Sequence, residues 1–427
     1  MTLSLMTLSL MPMTDHDPAR ASLRHFIDTH FDEQVRTLAR LVQCPSDNPP
    51  GDCAPHAELS AGLLEAMRFE VERHPVPAEF AAEHGMRSAT NLIVRERFGE
   101  GPVVALNAHG DVVPPGEGWS VDPYGGEVRD GWLYGRGAAV SKSDFTTYAF
   151  ALRALKQLAA DGAALGGTVE LHLTYDEETG GMTGPGWILS QGLSRPDYVL
   201  SAAFSHHVVV AHNGCLHMEV TLRGKSAHAA RPDTGHDAIE AAATLLPALY
   251  RHRDALAGRP SQTPGITHPT LVVGLIEGGI NTNVVADRLS LRIDRRIVPE
   301  ESSEAVEAEL RGVIEEACRA LPGITVQTRR ILLARPFAPA PGAKELTELM
   351  CREASAVMGK PVTPIGVPLY TDARLYSEAG IPTVMYGAGP ETLLEANGHR
   401  ADERVPLDEL RKATVVVANT LLQLLTR

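Results

Sequence analysis

The sequence predicts an α/β protein of two domains, in which a smaller α+β unit is inserted into a larger one. The chain has 427 residues, more than a single hydrophobic core usually holds. Before Gly214, apolar strand-like runs follow helix-like stretches and end at polar, potentially functional residues. After Gly214 the pattern changes to a β-α-β-β-α order, which is typical of a separate small domain. We therefore assign residues 21–213 and 333–427 to the larger domain and 214–332 to the smaller.

Composition excludes several classes of function. A net charge of −14 argues against non-specific binding of nucleic acid, which requires a basic surface. No apolar run approaches the length of a membrane span. The cysteines are odd in number and never form a C-x-x-C pair, which indicates reduced thiols in the cytoplasm. We expect a cytoplasmic protein with no nucleic-acid or membrane partner.

The first 20 residues repeat the segment MTLSL. A signal peptide would carry basic residues ahead of its apolar part, and this segment has none. A disordered tail or a misassigned start codon explains the repeat better. We predict a disordered tail over residues 1–20 and exclude it from the fold.

The first folded elements are two helices and a strand. Apolar residues recur at helical spacing over residues 21–43, and the turn-forming CPSDNPPGD then ends the helix. A second helix is predicted over residues 56–69, and a strand over residues 91–95.

The stretch from Val103 to Asp144 carries the first candidate site residues. A β-branched apolar run predicts a buried strand that ends at His109 and Asp111, where open α/β sheets bind their ligands. An imidazole can bind a metal through one nitrogen while a nearby carboxylate holds its other N–H. By itself the triplet His-Gly-Asp is also typical of a surface loop. A helix is predicted from Ser141, with this serine or Ser143 as N-cap.

A second polar cluster follows the strand predicted over residues 168–174. Asp176, Glu177 and Glu178 come directly after it and precede two glycines. Adjacent side chains point in different directions, so one glutamate could bind a metal while its neighbour takes a proton from a metal-bound water. A solvated run of charge is the alternative. The next predicted strand, residues 197–204, leads to two adjacent histidines.

The smaller domain and the returning chain supply the remaining elements. The smaller domain is predicted to hold a strand, a turn and then a helix within residues 215–239. Two further strands follow within residues 267–279 and 289–298, and a second helix over 302–320. The chain returns to the larger domain near Leu333. Helices are then predicted over residues 343–358 and from 406 onward.

Eight motifs, in order, resemble the two-domain metallopeptidase family of aminoacylase, acetylornithine deacetylase, succinyl-diaminopimelate desuccinylase and the glutamate carboxypeptidases. They are NAHGDVVP, GWLYGRGAA, YDEETGG, GKSAHAA, NTNVVAD, IDRRIVP, YTDAR and GHRADERV. The resemblance extends from about Ser22 to the end of the chain. It implies a catalytic domain with a mixed sheet between helices, and an inserted lid domain that also forms dimers.

The resemblance implies a metal site and a general base. His109, Glu178 and His399 match metal ligands of the family, and Asp111 matches the carboxylate that orients the first histidine. Glu177 matches the general base. These roles are expectations from likeness and do not follow from spacing alone.

The resemblance also implies residues that contact the substrate. His228 matches a lid histidine that stabilises the oxyanion, usually from the partner subunit of a homodimer or higher homo-oligomer. Asn283 and Arg296 match lid positions that contact a substrate carboxylate, and Arg374 matches an arginine that some members use similarly. The expected substrate is therefore a small molecule with a carboxylate, which arginine binds in a bidentate pair.

Two positions depart from the family pattern. Val140 stands where the family has an aspartate that bridges two zinc ions, and Ala203 stands where it has a further acidic ligand. Two cations roughly 3.5–4 Å apart would repel strongly without a bridging carboxylate. We expect one divalent ion per chain, zinc or manganese. Asp144, His206 and His207 are candidate replacement ligands, although each is also typical of an ordinary polar residue at a pocket rim.

Three functions remain open on the sequence. The first is hydrolytic deamination of an activated aromatic amine, because one member of the family converts 5-nitroanthranilate to 5-nitrosalicylate and ammonia. There the substrate's own electron sink would replace the help of a second metal. The second is hydrolysis of an N-acyl amino acid or dipeptide. The third is a metal-free binding protein, which the retained site residues disfavour.

Overall fold

The structure is a computed structural model, and it describes residues 17–426. These residues form ten α-helices and seventeen strands. The helices are α1 (Pro18–Gln43), α2 (Ala54–Ala66), α3 (Ala78–Glu83), α4 (Lys142–Ala160), α5 (Pro185–Ser190), α6 (Ala238–Leu256), α7 (Ser303–Cys318), α8 (Ala343–Met358), α9 (Ala373–Glu378) and α10 (Leu407–Leu425). The strands are β1 (Val71–Pro75), β2 (Thr90–Arg97), β3 (Val103–His109), β4 (Glu127–Arg129), β5 (Trp132–Tyr134), β6 (Thr168–Thr174), β7 (Tyr198–Ser201), β8 (Val208–His212), β9 (Gly214–Arg223), β10 (Ala227–His228), β11 (Thr270–Gly278), β12 (Val284–Val285), β13 (Arg288–Ile297), β14 (Thr325–Ala334), β15 (Pro364–Val367), β16 (Thr383–Met385) and β17 (Arg404–Pro406).

The larger domain is built on a mixed sheet. Its strands run in the order β1-β2-β6-β3-β7-β16-β8-β15 among the described residues. Strand β3 pairs in parallel with β6 and β7, whereas β2 pairs antiparallel with β6. Helices α1, α4 and α10 pack together against this sheet. The α/β class and the mixed sheet expected from the sequence are confirmed.

The centre of the sheet positions the polar clusters. Strand β3 is buried from Val104 to His109, as expected for a parallel strand covered on both faces. The parallel strands β3, β6 and β7 end at His109, Thr174 and Ser201, so their carboxyl ends meet at one edge. The residues that follow each strand therefore converge, which is where ligands bind in open α/β sheets.

The smaller domain has a sheet and a core of its own. Its sheet runs β11-β13-β9-β14, and each neighbouring pair is antiparallel. Helices α6 and α7 pack together, and their apolar faces bury residues such as Leu245 and Leu310 against the sheet. The sequence analysis did not predict β14, whose residues alternate only weakly and face mostly solvent. Leu333, predicted as the point of return, lies inside this strand.

The start of α1 and the N-cap of α4 differ in detail from the predictions. Helix α1 begins at Pro18, because Asp17 caps it by accepting a hydrogen bond from the Ala19 N–H. Residues 18–20 are thus helical, and the rest of the predicted tail, residues 1–16, lies outside the described residues. Ser141 occupies the N-cap position of α4 without a capping bond, since its hydroxyl donates to the His109 carbonyl instead. Among the described helices, none is long and apolar enough to cross a membrane.

Candidate active site

A buried carboxylate, Asp111, organises the edge of the sheet. Its two oxygens accept hydrogen bonds from the backbone N–H groups of Glu177 (3.2 Å) and Glu178 (3.1 Å). The side-chain amide of Asn48 donates a third bond, at 3.0 Å. The Asp111 side chain is fully buried, and burial alone would raise its pKa, but His109 and these hydrogen bonds hold it below its usual range. Asp111 therefore fixes the turn that carries both glutamates.

The ring of His109 is oriented by the same residue. Its Nδ1 lies 3.0 Å from the Asp111 carbonyl oxygen and 3.3 Å from the carboxylate Oδ1. A proton on Nδ1 therefore donates to Asp111, and Nε2 is left on the cavity side, 4.0 Å from Glu177 Oε2. Burial disfavours protonation of the ring, but Asp111 and the two glutamates outweigh it and raise the pKa of His109.

The two glutamates have different neighbours. Glu178 Oε1 lies 3.3 Å from His399 Nε2 and receives no hydrogen bond from any described residue. Glu177 instead faces His109, and burial raises its pKa well above the usual range while His109 opposes that rise. His399 has a positive φ of 61°, a left-handed conformation that few non-glycine residues adopt. The two glutamates thus face different histidines, and their division into a base and a ligand stays a prediction.

Glu178 and His399 fit a divalent cation in part. A buried carboxylate oxygen without a donor, next to an imidazole nitrogen, is a donor pair suited to zinc or manganese. However, residues 17–426 contain no group of three or more His, Cys, Asp or Glu side chains arranged to hold a metal. His109 is turned toward Asp111 and Glu177. The three-ligand set therefore stays a prediction, and the structure brings two of its members together.

These groups open into a cavity of about 210 Å³. Glu177, Glu178, His109 and His399 form what we call its donor side. Six apolar residues also line the cavity, and we call them together the apolar side: Val140, Ala203, Phe204, Leu369, Met385 and Leu393. Both positions that depart from the family pattern, Val140 and Ala203, lie on this apolar side.

The candidate replacement ligands do not line the cavity. Asp144 is fully buried behind the wall, where its Oδ1 accepts the Ala388 N–H at 3.0 Å, and burial raises its pKa well above the usual range. His206 lies against Glu409 of α10, with 3.6 Å between Nδ1 and Oε2. His207 is half-buried, and its charged neighbours are Glu391 and Lys360. The structure therefore favours the interpretation of Asp144, His206 and His207 as ordinary polar residues.

The two candidate arginines differ in position. Arg296, from lid strand β13, lines the cavity, donates to Asp294 at 2.9 Å and lies 5.8 Å from the centre of the Tyr370 ring. Arg374 does not line the cavity, because its buried guanidinium donates to the Gly180 carbonyl (2.5 Å) and to Glu378 (3.3 Å). In this structure Arg374 holds the loop that follows the two glutamates. That it receives a substrate carboxylate stays a prediction.

The remaining lid residues lie together, away from the cavity. Strands β10 and β12 form a short antiparallel ribbon in which His228 pairs with Val284. Asn283 precedes Val284, and its carbonyl accepts the Ala229 N–H at 3.0 Å. His228 and Asn283 are both exposed, and neither lines the cavity of its own chain.

Two polar residues of the site were missed by the sequence analysis. Asn48 lies in the turn cluster CPSDNPPGD, which gave no signal beyond chain reversal, yet its amide binds Asp111. Asp372 lies in the quoted motif YTDAR and lines the cavity; burial, together with Asp176, raises its pKa to about 8. The motif YTDAR is the sequence signal that marks Asp372.

The fold and the donor side define a class of protein, a two-domain hydrolase of the metallopeptidase type. The sequence profile of peptidase family M20/M25/M40 matches residues 105–423. The chain belongs to this family, whose members hydrolyse peptide-like amide bonds.

Similar proteins cover almost the whole chain. A succinyl-diaminopimelate desuccinylase of a Nitratiruptor species is 27% identical over 398 residues, covering 90% of this chain and 98% of that protein. An acetylornithine deacetylase of Myxococcus xanthus is 29% identical, covering 86% and 91%. A dinuclear metal binding peptidase of the M20 family from Bacillus subtilis superposes with a TM-score of 0.66 at 18% identity, covering 93% and 99%. The last similarity shows the shared fold, and the expectation of a single ion in this chain stays a prediction.

Proposed function

We propose that this chain hydrolyses an amide C–N bond in a small, carboxylate-bearing N-acyl amino acid or dipeptide, with one divalent cation per chain. The observation that carries the proposal is the pairing of Glu178 with His399 in the cavity that Glu177 also lines. The names of the desuccinylase and deacetylase relatives support an amide substrate.

Glu178 and His399 would hold the cation, with His109 as the proposed third ligand. A bound zinc or manganese ion acidifies a water molecule and polarises the scissile carbonyl. The donor side supplies carboxylate and imidazole groups, the ligand types that both ions accept. The apolar side offers no carboxylate for a second ion at positions 140 and 203.

Glu177 acts as the general base in this proposal. Its carboxylate lies on the cavity side of the turn that Asp111 fixes, so a water held between the donor side and the substrate is within its reach. Glu177 takes the proton of this water as oxygen attacks the carbonyl carbon, and passes it to the leaving nitrogen. Asp111 is a positioning residue, because it acts through Glu177, Glu178 and His109.

Arg296 receives the carboxylate of the substrate. Its guanidinium reaches the cavity from the lid domain, and guanidinium groups bind carboxylates in bidentate fashion. Asp294 already takes one of its N–H groups, which orients the side chain and leaves others free.

His228 and Asn283 act from a second copy of the chain. They are exposed on the lid ribbon and do not line their own cavity. Edge strand β11 of the lid sheet exposes Val272, Leu275 and Ile276, which is a typical site of sheet-to-sheet pairing. We therefore propose a homodimer through this edge, in which each lid serves the partner's cavity.

Hydrolytic deamination of an activated aromatic amine is a second candidate function. The apolar side of the cavity favours it, since an aromatic ring would pack there while the donor side directs water to the carbon that bears nitrogen. We also place the protein in the cytoplasm, because its five cysteines are free thiols.

The test combines metal analysis with product analysis. The purified chain is loaded with Zn²⁺ or Mn²⁺, dialysed and analysed for metal, then given N-acyl amino acids, dipeptides and 5-nitroanthranilate. Release of a free amino acid with about one ion per chain supports the proposal. Ammonia from 5-nitroanthranilate without amide cleavage would establish the second candidate. Two ions per chain would overturn the single-ion site, and turnover without metal would overturn the role of the cation.

A further inference from the structure

Several side chains on the apolar side of the cavity are only partly buried. Val140, Phe204, Leu369 and Leu393 are apolar, line the cavity and are only partly buried. Ala203 and Met385 also line it, are almost fully buried and pack with Leu369. A cavity lined by several apolar side chains and a few polar groups is the usual form of a small-molecule site.

The backbone at Val140 is held by a buried carboxylate. Glu403 Oε1 accepts the N–H groups of Ala139 and Val140, both at 3.1 Å, and Glu403 forms a buried ion pair with Arg136. Position 140 therefore presents a fixed side chain to the cavity. With valine there, the fixed group is apolar.

Charge in the lining limits where a carboxylate can bind. Among the described lining residues, Arg296 is the one lysine or arginine. It lies on the lid strand, whereas the apolar side belongs to the larger domain. A substrate with two carboxylates, such as an N-succinyl amino acid, would place its second charge against apolar side chains, which costs free energy.

We propose that the apolar side (Val140, Ala203, Phe204, Leu369, Met385, Leu393) is a specificity subsite for a bulky apolar acyl group, such as benzoyl, on the substrate carbon under attack. The inference rests on the proposed function for the orientation of the substrate, with its carboxylate at Arg296 and its amide at the donor side. The apolar acyl group then buries against the wall that replaces two acidic side chains. Uncharged, bulky acyl groups are preferred over acetyl and succinyl.

The test measures binding to a chain that cannot turn its ligand over. The Glu177→Gln variant, loaded with Zn²⁺, is titrated by calorimetry with N-benzoylglycine, N-acetylglycine and N-succinylglycine. Burial of an aromatic ring predicts that N-benzoylglycine binds on the order of tenfold more tightly than N-acetylglycine. N-succinylglycine should bind no better than N-acetylglycine. Equal or tighter binding of the acetyl or succinyl compound would overturn the inference.

Two adjacent leucines provide a matched pair of variants in the same background. Leu393 lines the cavity, whereas Leu394 is 65% exposed and does not line it. Leu393→Ala should weaken N-benzoylglycine binding several-fold and leave N-acetylglycine unchanged, and Leu394→Ala should change neither. Val140→Asp should abolish the preference for benzoyl. Circular dichroism and the melting temperature verify that each variant is folded, and equal effects of the two leucine variants would contradict the subsite.

Failure of the inference and failure of the proposed function give different results. If the wild-type chain hydrolyses N-acyl amino acids but acetyl and benzoyl compounds bind equally, only the inference fails. If N-benzoylglycine binds preferentially and Leu393→Ala removes that preference, but no amide is hydrolysed, only the proposed function fails.

Discussion

The donor side and the apolar side of the cavity have similar backbone support but opposite chemistry. On the donor side, the buried Asp111 carboxylate fixes the turn that carries Glu177 and Glu178. On the apolar side, the buried Glu403 carboxylate fixes the turn that carries Val140. Because each turn is held through its backbone N–H groups, the side chain it presents can change without loss of the fold.

The two sides differ in the side chains that they present to the cavity. Position 140 presents valine where the family pattern has an acidic residue, and Ala203, Leu393 and Met385 are further apolar residues of the same lining. The carboxylate at Asp144 does not compensate, because it is buried behind this surface and hydrogen bonded to the Ala388 N–H. We therefore expect function to depend on packing at the apolar side and on charge at the donor side.

Exchange of Glu177 for glutamine should have the largest effect on the donor side. Loss of a general base lowers the turnover number by about 10²–10⁴-fold, whereas the bound cation should remain, since Glu177 faces His109 and not His399. Turnover is measured on the preferred substrate, and metal by elemental analysis after dialysis.

The neighbouring residue supplies the matched control. Glu178→Gln keeps the shape of the side chain but should lose the cation, because it removes the charged partner of His399. Loss of metal from Glu177→Gln with retention in Glu178→Gln would reverse the two assignments.

Exchange of His228 for alanine tests whether a second chain completes the donor side. We expect a loss of turnover on the order of 10²-fold, as for the removal of one oxyanion donor, with no change in metal content. Ile276→Asp, on the exposed edge strand β11, should produce monomers and a similar loss of turnover. Sedimentation velocity and kinetics measure the two effects.

A valine on the other domain serves as control for this comparison. Val128 is 50% exposed on strand β4, so Val128→Asp should leave both assembly and turnover unchanged. Full activity of a monomeric Ile276→Asp variant would exclude a contribution from the partner.

The smallest expected effect concerns a carboxylate away from the cavity. Burial would raise the pKa of Glu170, but hydrogen bonds from His172 and Ser194 and the charge of Arg95 lower it to about 2, from an ordinary value of 4.5. Its charged form therefore stabilises the fold above about pH 4.5, and this contribution is lost as the pH falls toward 2. Glu177, by contrast, has a raised pKa.

Melting temperatures of the wild type and Glu170→Gln across this range measure the effect. The variant should be less stable than the wild type near neutral pH, and the difference should shrink as the solution becomes more acidic. A difference that grows on acidification would show that the ionised form of Glu170 is not the stabilising one.

The sequence by itself determined the elements and the polar clusters that follow them. Strand β6 and helix α8 have the predicted bounds, because alternation in the one and helical periodicity in the other are local properties. The motifs also determined the family, and with it the expectation that His109, Glu178 and His399 act together. Comparison of the same motifs also identified Val140 and Ala203 as departures from the family pattern.

Only the tertiary structure decided which side chains meet. Asn48 reaches Asp111 across 63 positions of sequence, and nothing in its local pattern indicates this contact. Arg374 is bound to the Gly180 carbonyl instead of facing the cavity, and Asp144 lies behind the wall instead of on it. The physical reason is that periodicity fixes the face of an element, whereas the direction of a side chain at a strand end or turn depends on hydrogen bonds to distant parts of the chain.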